Sequence, residues 1–211
     1  PSVTSAMLIG HIIIQPDTRI GPIQRRSVDG IAAHPGDKCL VVTADNEYKE
    51  KNYHVERLTN ELRMLGLSVE CFDFDNQLPT ELMQYDVVEL IGGNPYYLLN
   101  SIQKNCFFDV LKYFAQNRYL IGCSAGALVL TPSLDLIDLY SPEMNIVGLK
   151  DLSACNFTDI CILPHYSKFL KKYTGFEEKC AQYEHTLNRE VIRLNDGQGV
   201  IINESNIDII K

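Results

Sequence analysis

Residues 119–130 read Tyr-Leu-Ile-Gly-Cys-Ser-Ala-Gly-Ala-Leu-Val-Leu, and this stretch is the strongest indication of the fold. Tyr119–Ile121 is a short apolar run typical of a buried strand, and Ala127–Leu130 is typical of a helix that packs on a sheet. Between them, Gly122 and Gly126 flank Ser124 in the pattern G-x-S-x-G. Because glycine has no side chain to clash in a sharp turn, the pattern predicts a strand, a tight bend with Ser124 at its apex, and a helix.

Short apolar runs and longer amphipathic segments alternate along the rest of the chain. The runs predict strands at Met7–Ile14, Cys39–Thr43, Ser68–Phe74, Val87–Ile91, Tyr119–Gly122, Ile160–Leu163, Val191–Leu194 and Val200–Ile202. The apolar periodicity predicts helices at Glu50–Leu65, Phe107–Asn117 and Phe176–Leu187. This alternation is typical of a layered α/β fold with a mostly parallel sheet, which we expect to form a single domain over residues 1–211. Within it, we expect Gln15–Asp37, rich in proline, glycine and charge, to be irregular.

Composition excludes several classes of protein. The 211 residues carry a formal charge of −8, which argues against binding to a nucleic-acid backbone, because that binding needs clustered lysine and arginine. The longest apolar runs, such as Leu8–Ile14, are much shorter than the ~20 residues of a membrane-spanning helix. Seven cysteines without a CxxC pair indicate reduced thiols rather than a disulfide framework, so we expect a cytoplasmic protein.

Ser124 is the first candidate for chemistry. At the carboxyl end of a buried strand and the start of a helix, its hydroxyl would project where backbone N–H groups can stabilise a developing oxyanion, which favours a nucleophile. The alternative is a glycine-rich turn without chemistry. The neighbouring Cys123 is a rival nucleophile, but its position predicts a side chain that points into the sheet packing as a small buried hydrophobe.

A second junction follows the strand Val87–Ile91 and reads Gly92-Gly93-Asn94-Pro95. Asn94 suits the N-cap of a helix and Pro95 its first turn, while two glycines allow backbone to approach a ligand closely. The N–H of Gly93 could therefore be a second oxyanion donor beside that of Ala125. The alternative is a simple capped turn.

A serine nucleophile needs a base, and His165 is the best candidate among the five histidines. It follows the strand Ile160–Leu163. Of the other histidines, His11 lies in a strand, His34 in the irregular segment, and His54 and His185 in helices. The acid that would orient His165 stays open. The alternatives are Asp196 in an Asn-Asp-Gly turn, Asp135, Asp138, or no acid at all.

No cluster with metal-ligand spacing and no phosphate-binding glycine motif is present in the sequence, which fits a hydrolase without a cofactor.

Three motif pieces together resemble the serine peptidase family of dipeptidase E (α-aspartyl dipeptidase) and cyanophycinase. They are Gly92-Gly93-Asn94, the turn Gly122–Ala127, and Leu163-Pro164-His165-Tyr166, within a resemblance that spans roughly residues 38–202. The resemblance implies a flavodoxin-like, class I glutamine amidotransferase-like fold, no cofactor, and small peptides as substrates. It implies Ser124 as nucleophile, His165 as base, Gly93 and Ala125 as oxyanion donors, Asp196 as the acid, and Asn94 and Tyr166 as substrate-binding candidates. It also leaves room for a homodimer.

The sequence departs from these relatives at two places. Related glutamine amidotransferases carry a glutamate two residues after the histidine, where this chain has Ser167. Aspartyl dipeptidases carry arginines after the histidine-bearing strand. The stretch Ser167–Lys179 contains no arginine, and its basic residues are Lys168, Lys171, Lys172 and Lys179. We therefore expect a serine peptidase for small peptides without a defined Asp-X preference. Two alternatives stay open: a non-catalytic binding or sensing module, and a hydrolase of non-peptide esters or amides.

Overall fold

The computed structural model describes residues 11–15, 36–44, 49–203 and 206–210. The described residues form nine strands: β1 (His11–Gln15), β2 (Lys38–Ala44), β3 (Ser68–Phe72), β4 (Val87–Gly93), β5 (Tyr119–Cys123), β6 (Cys161–Leu163), β7 (Val191–Arg193), β8 (Gly199–Asn203) and β9 (Asn206–Ile210). They also form seven α-helices: α1 (Tyr53–Met64), α2 (Pro95–Lys104), α3 (Phe108–Asn117), α4 (Ala125–Leu130), α5 (Asp135–Asp138), α6 (Tyr166–Lys172) and α7 (Phe176–Leu187).

Seven of the strands form one central sheet in the order β3-β2-β4-β5-β1-β8-β9. The strands β3, β2, β4 and β5 are parallel neighbours, so their carboxyl ends meet at one edge of the sheet. Beyond them, β1 is antiparallel to β5 and parallel to β8, and β9 is antiparallel to β8. The mostly parallel α/β fold predicted from the sequence is therefore confirmed.

Helices cover both faces of the central sheet, which explains why its strands are apolar without alternation. On β4, Val88 and Leu90 pack into one core with α2, α3 and α4. Val87 and Ile91 point to the opposite face and pack with Val55, Leu58 and Leu62 of α1. The central sheet and the helices on its two faces therefore form three layers, because each buried strand supplies side chains to one core on each face.

The strands β6 and β7 form a separate, parallel two-stranded sheet. Its side chains pack against α7 in a third core that includes Cys161, Leu163, Phe176, Cys180 and Val191. Sequence periodicity does not distinguish a strand of the central sheet from one of a satellite sheet, and the separation is a finding of the structure. This small sheet bears on the candidate site because two predicted site residues, His165 and Asp196, lie shortly after β6 and β7.

Other boundaries differ modestly from those predicted. Helix α1 begins at Tyr53 instead of Glu50, where Asn52 caps it by accepting a hydrogen bond from the His54 N–H. The sequence analysis did not predict β9, whose exposed isoleucines lack the buried pattern of the other strands. Residues 1–10 and 16–35, which include the start of the predicted first strand, most of the irregular segment and His34, lie outside the described residues.

The approach of α4 to β4 requires glycine at position 126. A Cβ atom built on Gly126 would lie 1.9 Å from the carbonyl oxygen of Leu90, and one on Gly122 would lie 2.6 Å from the carbonyl oxygen of Gly126. Because the obstacles are backbone atoms, they cannot move aside as a flexible side chain could. The two glycines of the G-x-S-x-G pattern are thus required for packing as well as for the turn.

We expect Gly126→Ala to lower the free energy of unfolding by more than about 3 kcal/mol, the upper part of the range for overpacking. Gly148→Ala is the matched control. Unlike Gly126, it has a positive φ, +67°, but a Cβ there meets nothing within 4 Å, so its substitution costs only the backbone strain of about 1–2 kcal/mol. Urea unfolding of both variants measures the difference. Equal losses in the two variants would contradict the close approach of α4 and β4.

Candidate active site

Ser124 lies at a strained bend between β5 and α4. Its φ of 50° and ψ of −107° fall outside the regions that residues with a side chain normally occupy. Such a conformation costs on the order of 1–3 kcal/mol and persists only where the surroundings impose it. Here the fully buried strand β5 precedes the serine, and the Ser124 carbonyl accepts a helical hydrogen bond from the Leu128 N–H at 3.0 Å. The strain is therefore held by packing on both sides of the hydroxyl.

The glycines at the carboxyl end of β4 lie against this serine. A Cβ on Gly92 would be 3.3 Å from the Ser124 Cβ, so any larger residue would crowd the nucleophile candidate. Gly93 has a φ of 148°, which favours glycine. Asn94 caps α2, as its position predicts, because its Oδ1 accepts from the N–H groups of Tyr96 and Tyr97.

His165 comes to Ser124 from the small sheet. It follows β6 in the left-handed conformation, with a φ of 59°, and immediately precedes α6. Its Nε2 lies 2.9 Å from the Ser124 Oγ, which is hydrogen-bond distance. The structure thus brings together the two residues that sequence reasoning placed at the ends of different strands.

Asp196 contacts His165 at Nδ1, the ring nitrogen that does not face Ser124. Its Oδ1 lies 2.6 Å from the His165 Nδ1, and its Oδ2 lies 2.7 Å from the Lys168 Nζ. Partial burial works to raise the pKa of Asp196, but the hydrogen bonds from Lys168 and His165 outweigh it and lower this pKa below its ordinary value of 3.8. The carboxylate therefore stays ionised at neutral pH.

The other two acids that the sequence left open are engaged elsewhere. The Asp138 Oδ1 accepts from the hydroxyl of Tyr96 at 2.9 Å, and the Asp135 Oδ2 accepts from that of Ser133 at 2.8 Å. Of the three acids, Asp196 is the one that meets His165.

Cys123 is buried in the core beneath α1, as predicted, so its thiol is not in the position of the Ser124 hydroxyl.

The two substrate-binding candidates are also occupied by contacts within the protein. The Asn94 Nδ2 donates to the Met144 carbonyl at 2.7 Å, in addition to the capping role of Oδ1. The Tyr166 hydroxyl donates to Glu177 at 2.7 Å. A substrate that binds either side chain would have to replace these bonds, and substrate binding by Asn94 and Tyr166 stays a prediction.

Sequence reasoning missed two neighbours of the site. Lys168 was named only as a lysine in place of an arginine, although a residue three positions after His165 at the start of a helix returns to the same side. His54 on α1 is not among the site residues that the sequence predicts. The pKa of His54 is lowered, mainly by burial and to a lesser extent by the charges of Arg57, His165 and Lys168. Because two of these three charges belong to the site, α1 borders it.

Within the ranges that the structure describes, no group of three or more histidines, cysteines or acids is arranged to hold a metal ion. None of the helices in this described part of the chain has the length and apolar character needed to cross a membrane.

A serine at a strained strand-to-helix bend, with a histidine and a carboxylate in line, is the arrangement of α/β serine hydrolases. Residues 36–210 match the sequence model of peptidase family S51, and the chain belongs to this family of serine peptidases. This membership decides against a non-catalytic module.

Known proteins that resemble the chain agree with this assignment. An uncharacterized peptidase of Listeria monocytogenes is 30% identical over 137 residues, 63% of this chain and 67% of its own length. One from Listeria innocua is 28% identical over 171 residues, covering 76% and 82%. A crystal structure of a candidate peptidase E from Listeria monocytogenes has a TM-score of 0.68 and 22% identity, covering 86% of this chain and 89% of its own. At that identity the structural likeness supports the fold.

We expect Lys168→Met to raise the pKa of Asp196 toward its ordinary value, because the substitution removes a cation at 2.7 Å from the carboxylate. Carbon NMR titration of the Asp196 carboxyl measures the change. Lys171→Met, at an exposed lysine further along α6, is the matched control and should leave this pKa unchanged. An unchanged pKa in Lys168→Met would contradict the ion pair.

Proposed function

We propose that the chain hydrolyses small peptides through an acyl-enzyme formed on Ser124, with His165 as the general base. The observation that carries this proposal is the 2.9 Å distance between the Ser124 Oγ and the His165 Nε2. At that distance the imidazole can accept the hydroxyl proton as the oxygen attacks the scissile carbonyl.

Asp196 would select the productive tautomer of His165. With a carboxylate at 2.6 Å from Nδ1, the proton of the neutral ring is favoured on Nδ1, which leaves the lone pair of Nε2 directed at Ser124. When His165 takes the serine proton, the same carboxylate stabilises the imidazolium. The lowered pKa of Asp196 supports this role, since an ionised acceptor is needed throughout.

The backbone N–H groups of Gly93 and Ala125 would hold the oxyanion. Ala125 directly follows the nucleophile, and Gly92, which precedes Gly93 at the end of β4, lies against Ser124, so both amides belong to segments that border the attacking oxygen. Removing a single such donor typically costs about 10²–10³ in kcat, so the two amides together are a large part of the proposed catalysis.

Collapse of the tetrahedral intermediate would transfer the proton from His165 to the leaving amine and leave an ester on Ser124. Water, deprotonated by the same imidazole, would then release the acid and restore the serine. We further propose a reducing compartment such as the cytoplasm, because seven cysteines without a CxxC pair are typical of reduced thiols. The homodimer stays a prediction.

We expect Ser124→Ala to abolish covalent labelling by a fluorophosphonate probe and to lower peptide turnover by about 10⁴- to 10⁶-fold, because the attacking oxygen is removed. Cys123→Ala is the matched control, one residue away on the same bend, and should retain labelling. Labelling that survives in Ser124→Ala, or that Cys123→Ala abolishes, would contradict the assignment of the nucleophile.

Turnover is measured on a dipeptide library extended with small esters and amides. Preference for peptides supports the proposed substrate class, whereas activity confined to the non-peptide compounds would replace it with the ester or amide hydrolase that the sequence left open.

We expect Asp196→Asn to lower kcat by about 10³- to 10⁴-fold, the loss typical of this substitution in a Ser-His-Asp arrangement. Asn in place of Asp can present an amide N–H to Nδ1, which favours the wrong tautomer. The matched controls are Asp135→Asn and Asp138→Asn, whose carboxylates bind hydroxyls away from His165, and both should retain nearly full kcat. A large loss of kcat in either control, with no loss in Asp196→Asn, would indicate that Asp135 or Asp138 is the acid instead of Asp196.

A further inference from the structure

A pair of hydrogen bonds joins the residue beside Asp196 to the first turn of the helix that follows His165. The Oδ1 of Asn195 accepts from the backbone N–H of Ser167 at 3.0 Å and also from the Ser167 hydroxyl. The backbone N–H of Asn195 in turn donates to the Gln198 side chain at 2.8 Å. Asn195 is therefore fixed on both sides, within its own turn and across to α6.

The placement of these bonds is significant because Asn195 adjoins Asp196 and Ser167 lies two residues after His165. The two loops are thus joined by the side-chain pairs His165–Asp196, Lys168–Asp196 and Ser167–Asn195. A backbone hydrogen bond from the Tyr166 N–H to the Leu194 carbonyl at 3.0 Å also joins them. The underlying strands already run side by side, since Leu163 of β6 is paired with Arg193 of β7.

The Asp196 carboxylate needs such an anchor. It sits in a turn with 41% of its side chain exposed, next to Gly197, which has a φ of 90°. Its other partner, Lys168, is 67% exposed, and ion pairs between exposed groups contribute little because water competes for both charges. The bonds to Asn195, by contrast, involve a backbone N–H that is part of the helix start.

We propose that Asn195 and Ser167 are positioning residues, which hold the Asp196 carboxylate at the Nδ1 of His165 by fixing the β7 turn to α6. The inference rests on the proposed function of Asp196 and goes beyond it. Neither side chain contacts Ser124 or His165 through its polar atoms, so both act through Asp196. Ser167 thereby has a specific role at the position where related amidotransferases carry an acid: it fixes the turn that supplies the acid from another strand.

The test is a double-mutant cycle between Asn195→Leu and Asp196→Asn, with kcat and KM measured on one peptide from the library. Leucine has a similar size and branching but cannot accept a hydrogen bond. We expect Asn195→Leu to lower kcat by about 10- to 100-fold with little change in KM, the loss typical when a partner that orients a functional group is removed. In the Asp196→Asn background, the same change should lower kcat less than about 2-fold, because the group it positions has lost its function.

Two further variants separate positioning from stability. Asn195→Asp keeps the acceptor oxygen and should retain most of the activity, whereas Ser167→Ala should show a smaller loss than Asn195→Leu because the backbone N–H bond remains. Asn117→Leu, at an exposed asparagine that bonds within its own helix, is the control for this type of substitution and should leave kcat unchanged.

Three results would overturn the proposal, each distinguishable from failure of the proposed nucleophile. The first is wild-type kcat in Asn195→Leu. The second is a loss in Asn195→Leu that persists undiminished in the Asp196→Asn background, which would indicate a general structural role. The third is wild-type kcat in Asp196→Asn while Ser124→Ala is inactive, because Asp196 would then have no function for Asn195 to support.

Discussion

The hydrogen bond between the Ser124 Oγ and the His165 Nε2 joins two parts of the protein that are built separately. Ser124 belongs to the central sheet, whose two faces are covered by helices, and His165 belongs to the small sheet with its own core around Phe176 and Cys180. Direct proton transfer between them requires hydrogen-bond reach, about 2.6–3.2 Å between the two atoms. The packing between the two sheets is therefore a constraint on the proposed catalysis, in addition to the chemistry of the two side chains.

The bend at Ser124 shows how that precision is obtained. The strained backbone is stabilised because Gly126 lets α4 lie directly on the Leu90 carbonyl, and Gly92 keeps the end of β4 close to the serine. A residue with a side chain at either position would push one of these segments away. The same contacts that stabilise the fold thus also fix the half-buried Ser124 at the bend. In the proposed mechanism, folding and preorganisation therefore have one physical cause.

The sequence predicted the layers, most strands and the Ser124–His165 pair, since each depends on local patterns: apolar runs, glycines at a turn, a histidine after a buried strand. It left the acid open among Asp135, Asp138 and Asp196, because an acid in a turn has no periodicity that reveals its partner. The sequence did not reveal β9, because its exposed isoleucines lack the pattern of a buried strand. It also did not reveal that β6 and β7 form their own sheet, because a short buried run looks the same in a central sheet and in a satellite sheet. The proximity of His54 to His165 is tertiary and has no local signal in the sequence. Lys168, by contrast, lies three residues after His165, and helical spacing alone could have predicted that it is near.

The small sheet offers a reason why the acid is hard to read from the sequence. His165 and Asp196 come from two adjacent parallel strands, so the turn after β7 can supply a carboxylate without any fixed spacing from the histidine. An acid on the same helix as the histidine would be set by helix geometry alone, but an acid on a neighbouring strand depends on strand register and on contacts that fix the turn. In this chain the register is fixed by the pairing of Leu163 with Arg193, and the Arg193 guanidinium is held by Glu177 and Glu184 of α7. The position of Asp196 is thus determined by the packing of β7 on α7 as much as by its own bond to His165.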